Sequence, residues 1–398
     1  MRVRSIVLML AVAGLSMAAP AGAADWPHWR GPNTNGSSPE SPVSTTWPEG
    51  GPKKLWECKV GGGHSSPVVA AGRLFTHAGG SLICLDAATG EALWKCPFGG
   101  KDVGSEYYTP AVDDRVVYAL SDTGVLLAVE TATGNRLWSV DLVQDLAVPR
   151  KGKDPVPMGS PLVLGDRLIL SRGLALDKTT GKLVWKADGL AANGCYVTPV
   201  AFATGNTTGI LFYVGPKLVA VSSKDGSPLW SVGLPWWAKN SYSDPIVLLE
   251  GVFFDGVRLQ FKDEKPEMVN PAQHLGAGLA NPVVWEGHLY ASCGGWGSNP
   301  KPDSYQLKCV DAASGTVKWT QKGIWGPLVV VDGKLLVATH KGEIVAVKAS
   351  PEGFEELGRA MICPAEAGNI SWSTPAFAGG RFYMRRGGLV VCLDLSGK

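Results

Sequence analysis

The stretch Asp86–Trp94 reads DAATGEALW, and close relatives of it recur along the chain at intervals of roughly 40 to 50 residues. Each copy has a carboxylate or hydroxyl residue, then Gly, then Trp four residues after the Gly. The copies are Asp86, Gly90 and Trp94; Glu130, Gly134 and Trp138; Asp177, Gly181 and Trp185; Ser222, Gly226 and Trp230; Asp311, Gly315 and Trp319. The side-chain oxygen can accept hydrogen bonds from turn amides, and Gly readily adopts positive φ. The phrase therefore predicts a β-hairpin with the Trp on its return strand.

A small residue precedes each turn carboxylate or hydroxyl by two positions. These residues are Cys84, Ala128, Ala175, Ala220 and Cys309, with Ala346 and Cys392 in degenerate copies. We expect each indole to pack over this small neighbour and to contact the next unit. Burying one Trp removes about 150–250 Å² from water, which at about 25 cal/mol/Å² amounts to several kcal/mol.

A column of prolines counts the repeats more completely than the Trp phrase does. Each repeat opens with a small or polar residue, a Pro and an apolar strand; the prolines are Pro67, Pro110, Pro161, Pro199, Pro245, Pro282, Pro327 and Pro375. Their mean spacing of 44 residues suits a four-stranded propeller blade. The sequence therefore predicts an all-β fold, an eight-bladed β-propeller of four-stranded antiparallel blades.

The two ends of the chain indicate how the ring closes. The chain stops within a degenerate copy of the phrase, Leu393–Lys398, while Lys54–Trp56 supplies a Trp that has no phrase of its own. We therefore expect the N-terminal segment around Trp56 to donate the outer strand of the last blade, which removes open sheet edges.

The first residues predict export. Two arginines, an apolar stretch and the small residues Ala21–Ala24 are typical of a secretory signal. We predict a signal peptide over 1–24, an N-terminal extended segment over 25–53 and the propeller over 54–398. The protein is then periplasmic or secreted, without a lipid-accepting cysteine because the first cysteine is Cys58. Without Arg2 and Arg4, basic and acidic residues balance, so nothing indicates nucleic-acid binding.

The eight cysteines admit two interpretations. Cys84 and Cys96 flank the first hairpin symmetrically, and Cys58 and Cys392 occupy equivalent places across the closure, so a disulfide in each is geometrically conceivable. Alternatively, cysteines that replace Ala in other repeats behave as small buried apolar residues.

The phrase Ala-x-Asp-x-x-Thr-Gly-x-x-x-Trp resembles the tryptophan-docking repeat of the pyrroloquinoline-quinone (PQQ)-like propellers, over residues 54–398. That superfamily includes quinoprotein alcohol dehydrogenases, the barrel assembly lipoprotein BamB and exported propellers of unknown role. The opening Asp25–Pro32, DWPHWRGP, resembles the start of the last group, and we expect it to be an extended strap packed on the propeller.

Departures from the family pattern argue against catalysis. The resemblance to quinoprotein dehydrogenases implies an adjacent-Cys disulfide, a calcium site and a catalytic Asp, but this chain has no adjacent cysteine pair. No catalytic residue carries over, and we expect no metal and no cofactor, with PQQ plus calcium as the alternative. Two blades also depart: residues 261–266 replace the phrase in the fifth, and Leu357 replaces the Trp in the seventh.

A candidate site follows from propeller geometry, because the residues just before each repeated Pro border the central channel. The position three residues before each Pro holds His64, Tyr107, Met158, Tyr196, Tyr242, Leu279, Ile324 and Trp372. Glu106, Asn193, Asn240, Asn281 and Asn369 are near them in sequence. We take His64, Tyr107, Tyr196, Tyr242 and Trp372 as candidate ligand-binding residues. The alternative is that the ring packs between blades.

Three functions remain open at this point. The favoured one is a non-catalytic, exported scaffold that binds a protein, small-molecule or glycan partner in the cell envelope, as a monomer without a transmembrane segment. The second is a PQQ-dependent oxidoreductase with a reduced site. The third is an outer-membrane protein assembly factor similar to BamB.

Overall fold

A computed structural model describes residues 24–99, 107–150, 156, 158–190, 196–205, 207–238, 242–262, 265–269, 280–294, 302–363 and 372–397. Apart from Ala24, the predicted signal peptide lies outside the described residues. The strands are β1 (Ser37–Ser38), β2 (Lys54–Lys59), β3 (Val68–Ala70), β4 (Arg73–Ala78), β5 (Ser81–Asp86), β6 (Ala92–Pro97), β7 (Ala111–Asp113), β8 (Val116–Leu120), β9 (Val125–Glu130), β10 (Arg136–Asp141), β11 (Leu162–Leu164), β12 (Arg167–Leu170), β13 (Leu174–Asp177), β14 (Leu183–Lys186), β15 (Val200–Thr204), β16 (Thr207–Val214), β17 (Lys217–Ser222), β18 (Pro228–Gly233), β19 (Ile246–Leu248), β20 (Gly251–Phe254), β21 (Val257–Lys262), β22 (Lys265–Met268), β23 (Val283–Trp285), β24 (His288–Cys293), β25 (Gln306–Asp311), β26 (Val317–Lys322), β27 (Leu328–Val331), β28 (Lys334–Ala338), β29 (Glu343–Lys348), β30 (Glu356–Met361), β31 (Ala376–Ala378), β32 (Arg381–Arg386) and β33 (Leu389–Asp394). Two 3-10 helices, η1 (Trp236–Ala238) and η2 (Pro302–Ser304), lie in loops.

The strands form eight antiparallel blades, which confirms the predicted eight-bladed propeller. Blades 1 to 7 each take four consecutive strands, from β3–β6 to β27–β30, and blade 8 combines β31, β32 and β33 with β2. The first strand of each blade is short, and neighbouring first strands contact one another, as in β3 with β7 and β31. These inner strands therefore surround the central channel. Buried apolar side chains fill the spaces between successive blades, so the core is distributed around the ring.

The ring closes as the ends of the sequence predict. Strand β2 pairs antiparallel with β33, and Trp56 lies opposite Cys392. The same pairing of an indole with a small residue occurs within the other blades that carry the phrase. The pairs are Trp94 with Cys84, Trp138 with Ala128, Trp185 with Ala175, Trp230 with Ala220 and Trp319 with Cys309.

The turn of the repeat forms through the predicted chemistry. Asp86 accepts hydrogen bonds from the backbone amides of Ala88 and Thr89, each at 2.8 Å, and Gly90 has φ 77°. The Thr89 bond is the largest effect that holds the pKa of Asp86 below its usual value. In the third blade, the hydroxyls of Thr179 and Thr180 donate to Asp177 and lower its pKa to about 2.

Each of the first four indoles packs against the turn glycine of the next blade. A Cβ added to Gly90 would lie 2.6 Å from the Trp56 ring, so only a glycine admits this approach. Gly134, Gly181 and Gly226 meet Trp94, Trp138 and Trp185 in the same way. The indole N–H of Trp56, Trp94 and Trp138 donates to a carbonyl of that neighbouring turn, for example from Trp56 to Ala87 at 3.1 Å. The Trp185 N–H is buried without a hydrogen-bond partner among the described residues.

The two degenerate blades use substitutes for this contact. In the fifth blade, strand β22 completes the sheet without a Trp, and Phe261 of β21 packs against Trp230 of blade 4 at a ring distance of 6.0 Å. In the seventh blade, the sequence pattern assigned Leu357 to the Trp position, but Gly358 of strand β30 lies opposite Ala346, where other blades have the indole. The Trp47 ring of the N-terminal segment lies beside Gly358. The N–H of Ser44 bonds to Leu395 of blade 8 at 3.0 Å, so this segment fills the seam between blades 7 and 8.

The seven described cysteines are free thiols, so neither disulfide considered above forms. A register shift after Cys84 places it opposite Trp94, while Cys96 lies opposite Leu82. Across the closure, Cys58 lies opposite Val390 rather than Cys392. Burial raises the pKa of the Cys84 thiol to about 12, as expected for an inert apolar residue.

Candidate functional site

A belt of hydrogen bonds runs around the channel from blade 8 through blades 1 to 6, at the level where the inner strands begin. It is built by the small or polar residue that precedes each repeated Pro, whose side chain accepts from the backbone N–H of the preceding blade. The bonds run from Thr374 to Ser66 (2.8 Å), Ser66 to Thr109 (3.2 Å), Thr109 to Ser160 (3.0 Å), Ser160 to Thr198 (3.2 Å), Thr198 to Asp244 (2.7 Å) and Asp244 to Asn281 (2.5 Å). In blade 7 the belt position is Gly326, whose N–H donates instead to Ser292 at 2.9 Å. The belt fixes the entry of each inner strand.

Four of the predicted site residues form a continuous row of rings at this end of the channel, which we call the mouth. The row, named the aromatic arc, consists of His64, Tyr107, Tyr196 and Tyr242. His64 stacks on Tyr107 at a centroid distance of 5.4 Å, and Tyr107 is 4.9 Å from Tyr196. Tyr196 is 6.3 Å from Tyr242 and 38% exposed. The arc thus joins blades 1, 2, 4 and 5, and Tyr196 is its most exposed ring.

A second aromatic cluster lies at the mouth on blades 6 to 8. Trp372 meets Trp325 edge-to-face at 5.6 Å, and Trp325 stacks on Tyr305 at 5.5 Å. His340 lies 4.4 Å from Tyr305. This cluster adjoins the arc, because the Ser373 hydroxyl donates to the carbonyl of His64 at 2.9 Å.

Arginine Arg385 fixes the seam beneath His64 between blades 8 and 1. The buried guanidinium donates to the carbonyls of Ser65 (3.0 Å) and His77 (2.6 Å) and to other oxygens of the same seam. Burial lowers the pKa of His64, and Arg385 lowers it further, so this imidazole stays neutral at pH 7. The same two causes lower the pKa of His77 to about 3.

The N-terminal segment closes the channel from the end opposite the mouth. Residues 25–38, which we call the plug, bond to inner strands near each end: Trp26 to Val69 in blade 1 and Gly36 to Val330 in blade 7, two blades that only blade 8 separates. Between these points, Trp29 reaches across the ring to Asp244 of blade 5. Residues 28–36 between these points fold into turns, with Gly36 N–H bonded to the Arg30 carbonyl at 2.9 Å. The expectation of an extended strap on the propeller is therefore wrong for this part. The positive φ of Arg30, Gly31 and Gly36 lets the chain turn within the channel.

An ionisable pair lies where the plug meets the belt. The Trp29 indole N–H donates to the carboxylate of Asp244, and Arg30 Nη2 donates to the Pro282 carbonyl at 2.6 Å. Burial raises the pKa of Asp244 to about 6, although the nearby Arg30 charge opposes that shift. Burial likewise lowers the pKa of Arg30 to about 10. A cavity of about 10 Å³ beside the pair has room for one water molecule.

Several described features differ from the family pattern for PQQ and calcium. Among them, no three His, Cys, Asp or Glu side chains lie close enough together to hold a metal ion. The sequence has no adjacent cysteine pair. In addition, the plug places Trp29 and Arg30 inside the channel.

The other predicted site residues have different environments. Met158 is fully buried, and Ile324 is nearly so, each within apolar packing between blades, as the alternative interpretation expects. Asn281 belongs to the belt, and Trp372 to the second cluster. Leu279, Glu106, Asn193, Asn240 and Asn369 lie outside the described residues.

Sequence reasoning missed several residues of the mouth. Tyr108 and Trp325 lie two residues before their prolines rather than three, so a single-position rule passes over them. Tyr108 donates its hydroxyl to the Val156 carbonyl and contacts Tyr196 at a ring distance of 6.3 Å. Arg385 lies within a strand, and nothing in the local sequence distinguishes it from a surface arginine.

Trp236 is an exposed aromatic residue in the loop between blades 4 and 5. It lies in η1 and is 77% exposed. Loops that join an outer strand to the next inner strand run to the mouth, so Trp236 belongs to that face.

The described residues include no helix long and apolar enough to cross a membrane.

Comparison with known proteins confirms the resemblance to PQQ-like propellers. Residues 39–193 match the family model described as outer membrane protein assembly factor BamB. The chain is 32% identical over 210 residues to the serine/threonine-protein kinase AfsK of Streptomyces griseus, and 32% identical over 134 residues to BamB of Burkholderia pseudomallei. These alignments cover 48% and 33% of this chain, but only 25% and 31% of the relatives.

A solved structure agrees with the fold. The quinohemoprotein alcohol dehydrogenase of Comamonas testosteroni superposes with a TM-score of 0.67 at 14% identity, covering 94% of this chain and 81% of that one. At this identity the likeness concerns the fold alone.

Proposed function

We propose that this chain is an exported, non-catalytic propeller that acts as a protein-interaction or ligand-binding scaffold in the cell envelope. The observation that carries the proposal is the aromatic arc at the mouth. Its four rings follow one another at 4.9 to 6.3 Å across blades 1 to 5, and Tyr196 at its centre is 38% exposed. The plug fills the opposite channel end, so the arc lies on the face that the plug leaves uncovered.

The chemistry of the mouth suits recognition better than acid–base catalysis. Tyrosine and tryptophan supply large, rigid contact areas and are enriched at the centre of protein interfaces. The lowered pKa of His64 keeps it uncharged at neutral pH. Tyr108 is held by a bond to a backbone carbonyl, and burial raises its pKa well above the usual value. Neither group is prepared to exchange a proton near pH 7.

Export and a protein partner rest on two further observations. The first residues of the chain have the composition of a secretory signal. The relative from Burkholderia pseudomallei is, by its name, an outer membrane protein assembly factor. A partner in the envelope is consistent with both.

Outer-membrane protein assembly is the second candidate function. It is favoured by the match of residues 39–193 to the BamB family model. Co-purification with the outer-membrane assembly machinery, reduced by mutation of the mouth, would support it over a scaffold with another partner.

A photo-crosslinker at position 196 tests the proposal. Benzoylphenylalanine would replace Tyr196 at the mouth or Thr89 in a turn on the opposite face, and crosslinked products would be identified in intact cells. We expect a discrete envelope protein or glycan conjugate from position 196 only, weakened by Tyr107→Ala. Equal products from both positions, or none from position 196, would contradict the proposal.

A titration with PQQ, with and without calcium, separates the proposal from the oxidoreductase alternative. Quenching of the intrinsic Trp fluorescence provides the signal. We expect no stoichiometric binding, whereas saturation at one PQQ per chain at micromolar or tighter affinity would replace the scaffold with a quinone-dependent enzyme.

A further inference from the structure

We propose that the channel end opposite the mouth is a peptide-binding site selective for a Trp-Arg segment, and that the plug, residues 25–38, is its ligand held within the same chain. This site is separate from the aromatic mouth and does not depend on the function proposed there.

The propeller is complete without the plug. Ring closure is made by strand β2, which begins at Lys54, after the plug has ended. The eight four-stranded blades contain no plug residue, since β1 is a fifth strand added to blade 7. The ring can therefore form without the plug, and the plug binds to it as a ligand would.

Main-chain contacts between the plug and the ring have the form of strand addition. Trp26 and Val69 exchange two hydrogen bonds, at 2.7 and 2.8 Å, on the free edge of the inner strand of blade 1. Ser37 and Ser38 pair in parallel with the inner strand of blade 7. Extended peptides bind exposed sheet edges in this way, with the main chain giving affinity and side-chain pockets giving specificity.

Two side chains of the plug supply the specificity. The Trp29 indole donates to Asp244, and Arg30 lies within the electrostatic influence of the same carboxylate. In the other described belt positions the residue is Ser, Thr, Asn or Gly, so blade 5 alone among them places a carboxylate there. Asp244 accepts from the belt and from the plug together. We infer that the acidic residue is present for the plug, because the belt bond itself needs only a neutral acceptor.

The contact between Arg30 of the plug and the ring is specific, but it leaves part of the guanidinium unpaired. Arg30 is 2% exposed, yet its Nε and Nη1 atoms have no hydrogen-bond partner among the described residues. Burying incompletely paired charges costs free energy that an apolar contact would not. We therefore expect the plug to be exchangeable under native conditions.

The test uses the full chain with a protease site inserted after Pro39, which is exposed. After cleavage, a fluorescent peptide with the sequence of residues 25–38, DWPHWRGPNTNGSS, is added, and its anisotropy is followed while circular dichroism monitors the fold. We expect saturable exchange into the cleaved protein and none into the uncleaved one. Asp244→Ala in the protein, or Trp29→Phe in the peptide, should weaken binding about tenfold or more, because each removes a hydrogen bond that involves a charged group.

Ser160→Ala is the matched control, since Ser160 is a belt residue whose side chain contacts the neighbouring blade. It should change peptide binding less than twofold. Retention of the cleaved plug until the propeller unfolds would overturn the proposal, because the plug would then be an integral part of the fold. Equal weakening by Ser160→Ala and Asp244→Ala would overturn it as well.

Discussion

The indole N–H of Trp29 donates a hydrogen bond to the carboxylate of Asp244, which lies 215 residues further along the chain. Burial raises the pKa of this carboxyl from 3.8 to about 6. Because the folded-state pKa is the higher one, folding favours the protonated acid. The corresponding stability is fully present below about pH 4 and is lost as the pH rises through 6.

Asp244→Asn should remove this pH dependence. The amide mimics the protonated acid, so the variant should gain about 3 kcal/mol relative to the native protein between pH 4 and pH 8. Urea unfolding of both proteins at pH 4, 6 and 8 measures the difference. An offset that is the same at all three values would show that Asp244 is not buried as described.

His77 should make stability depend on pH in the opposite direction to Asp244. Its imidazole is buried against Phe98, and its pKa falls from 6.5 to about 3 through burial, with Arg385 as the second cause. A depressed folded-state pKa contributes stability that is present above pH 6.5 and is lost as the pH falls towards 3. The stability of His77→Phe relative to the native protein should therefore be about 2.5 kcal/mol greater at pH 4.5 than at pH 7. Thermal melting across this range tests it, with parallel curves as the contrary outcome.

Gly90 and Gly72 form a natural pair for testing the contact between blades. Both have φ near 75°, but a Cβ on Gly90 would lie 2.6 Å from the Trp56 ring, whereas nothing lies within 4 Å of one on Gly72. Gly72→Ala should cost about 1 kcal/mol from backbone strain alone. Gly90→Ala should cost about 2 kcal/mol more, since it also displaces the indole. Equal losses in chemical denaturation would mean that this contact contributes little.

Substitution of Arg385 should destabilise the protein more than substitution of most other arginines. Its buried guanidinium donates to several oxygens of the seam between blades 8 and 1. Arg385→Met leaves those acceptors without partners and should lower the free energy of unfolding by about 3–5 kcal/mol.

Arg359→Met is the control, because Arg359 forms partly exposed ion pairs with Glu356 and Glu343 and should lose at most about 1 kcal/mol. If both variants lose the same amount, the seam does not depend on Arg385.

The repetitive part of the architecture could be predicted from sequence because each repeated residue has a local physical role. Asp86 and Gly90 specify a turn, and the pairing of Trp94 with Cys84 follows from strand register. Closure by Trp56 was predictable because the two chain ends carry complementary parts of one repeat.

The features that could not be predicted depend on contacts between distant parts of the chain. Arg385 and Ser65 are 320 residues apart, and no local pattern links them. Trp47 substitutes for a missing indole at blade 7 only because the N-terminal segment passes that seam. At the mouth, the position rule found the aromatic arc but not Trp325, because proximity to the channel is shared by more than one position before each Pro.

The direction of the hydrogen bonds in the belt has a consequence for how such a ring can change over evolutionary time. In six of the eight described belt positions, a blade offers its own side chain to the N–H of the blade before it, as Thr109 does for Ser66. A duplicated blade therefore arrives already carrying the acceptor that its predecessor needs and the donor that its successor accepts. The number of blades can therefore change, and a blade such as the fifth can lose the repeated Trp phrase, while the hydrogen bonds between neighbouring blades are kept. Whole blades, rather than single contacts, are the units that duplication can add to this ring.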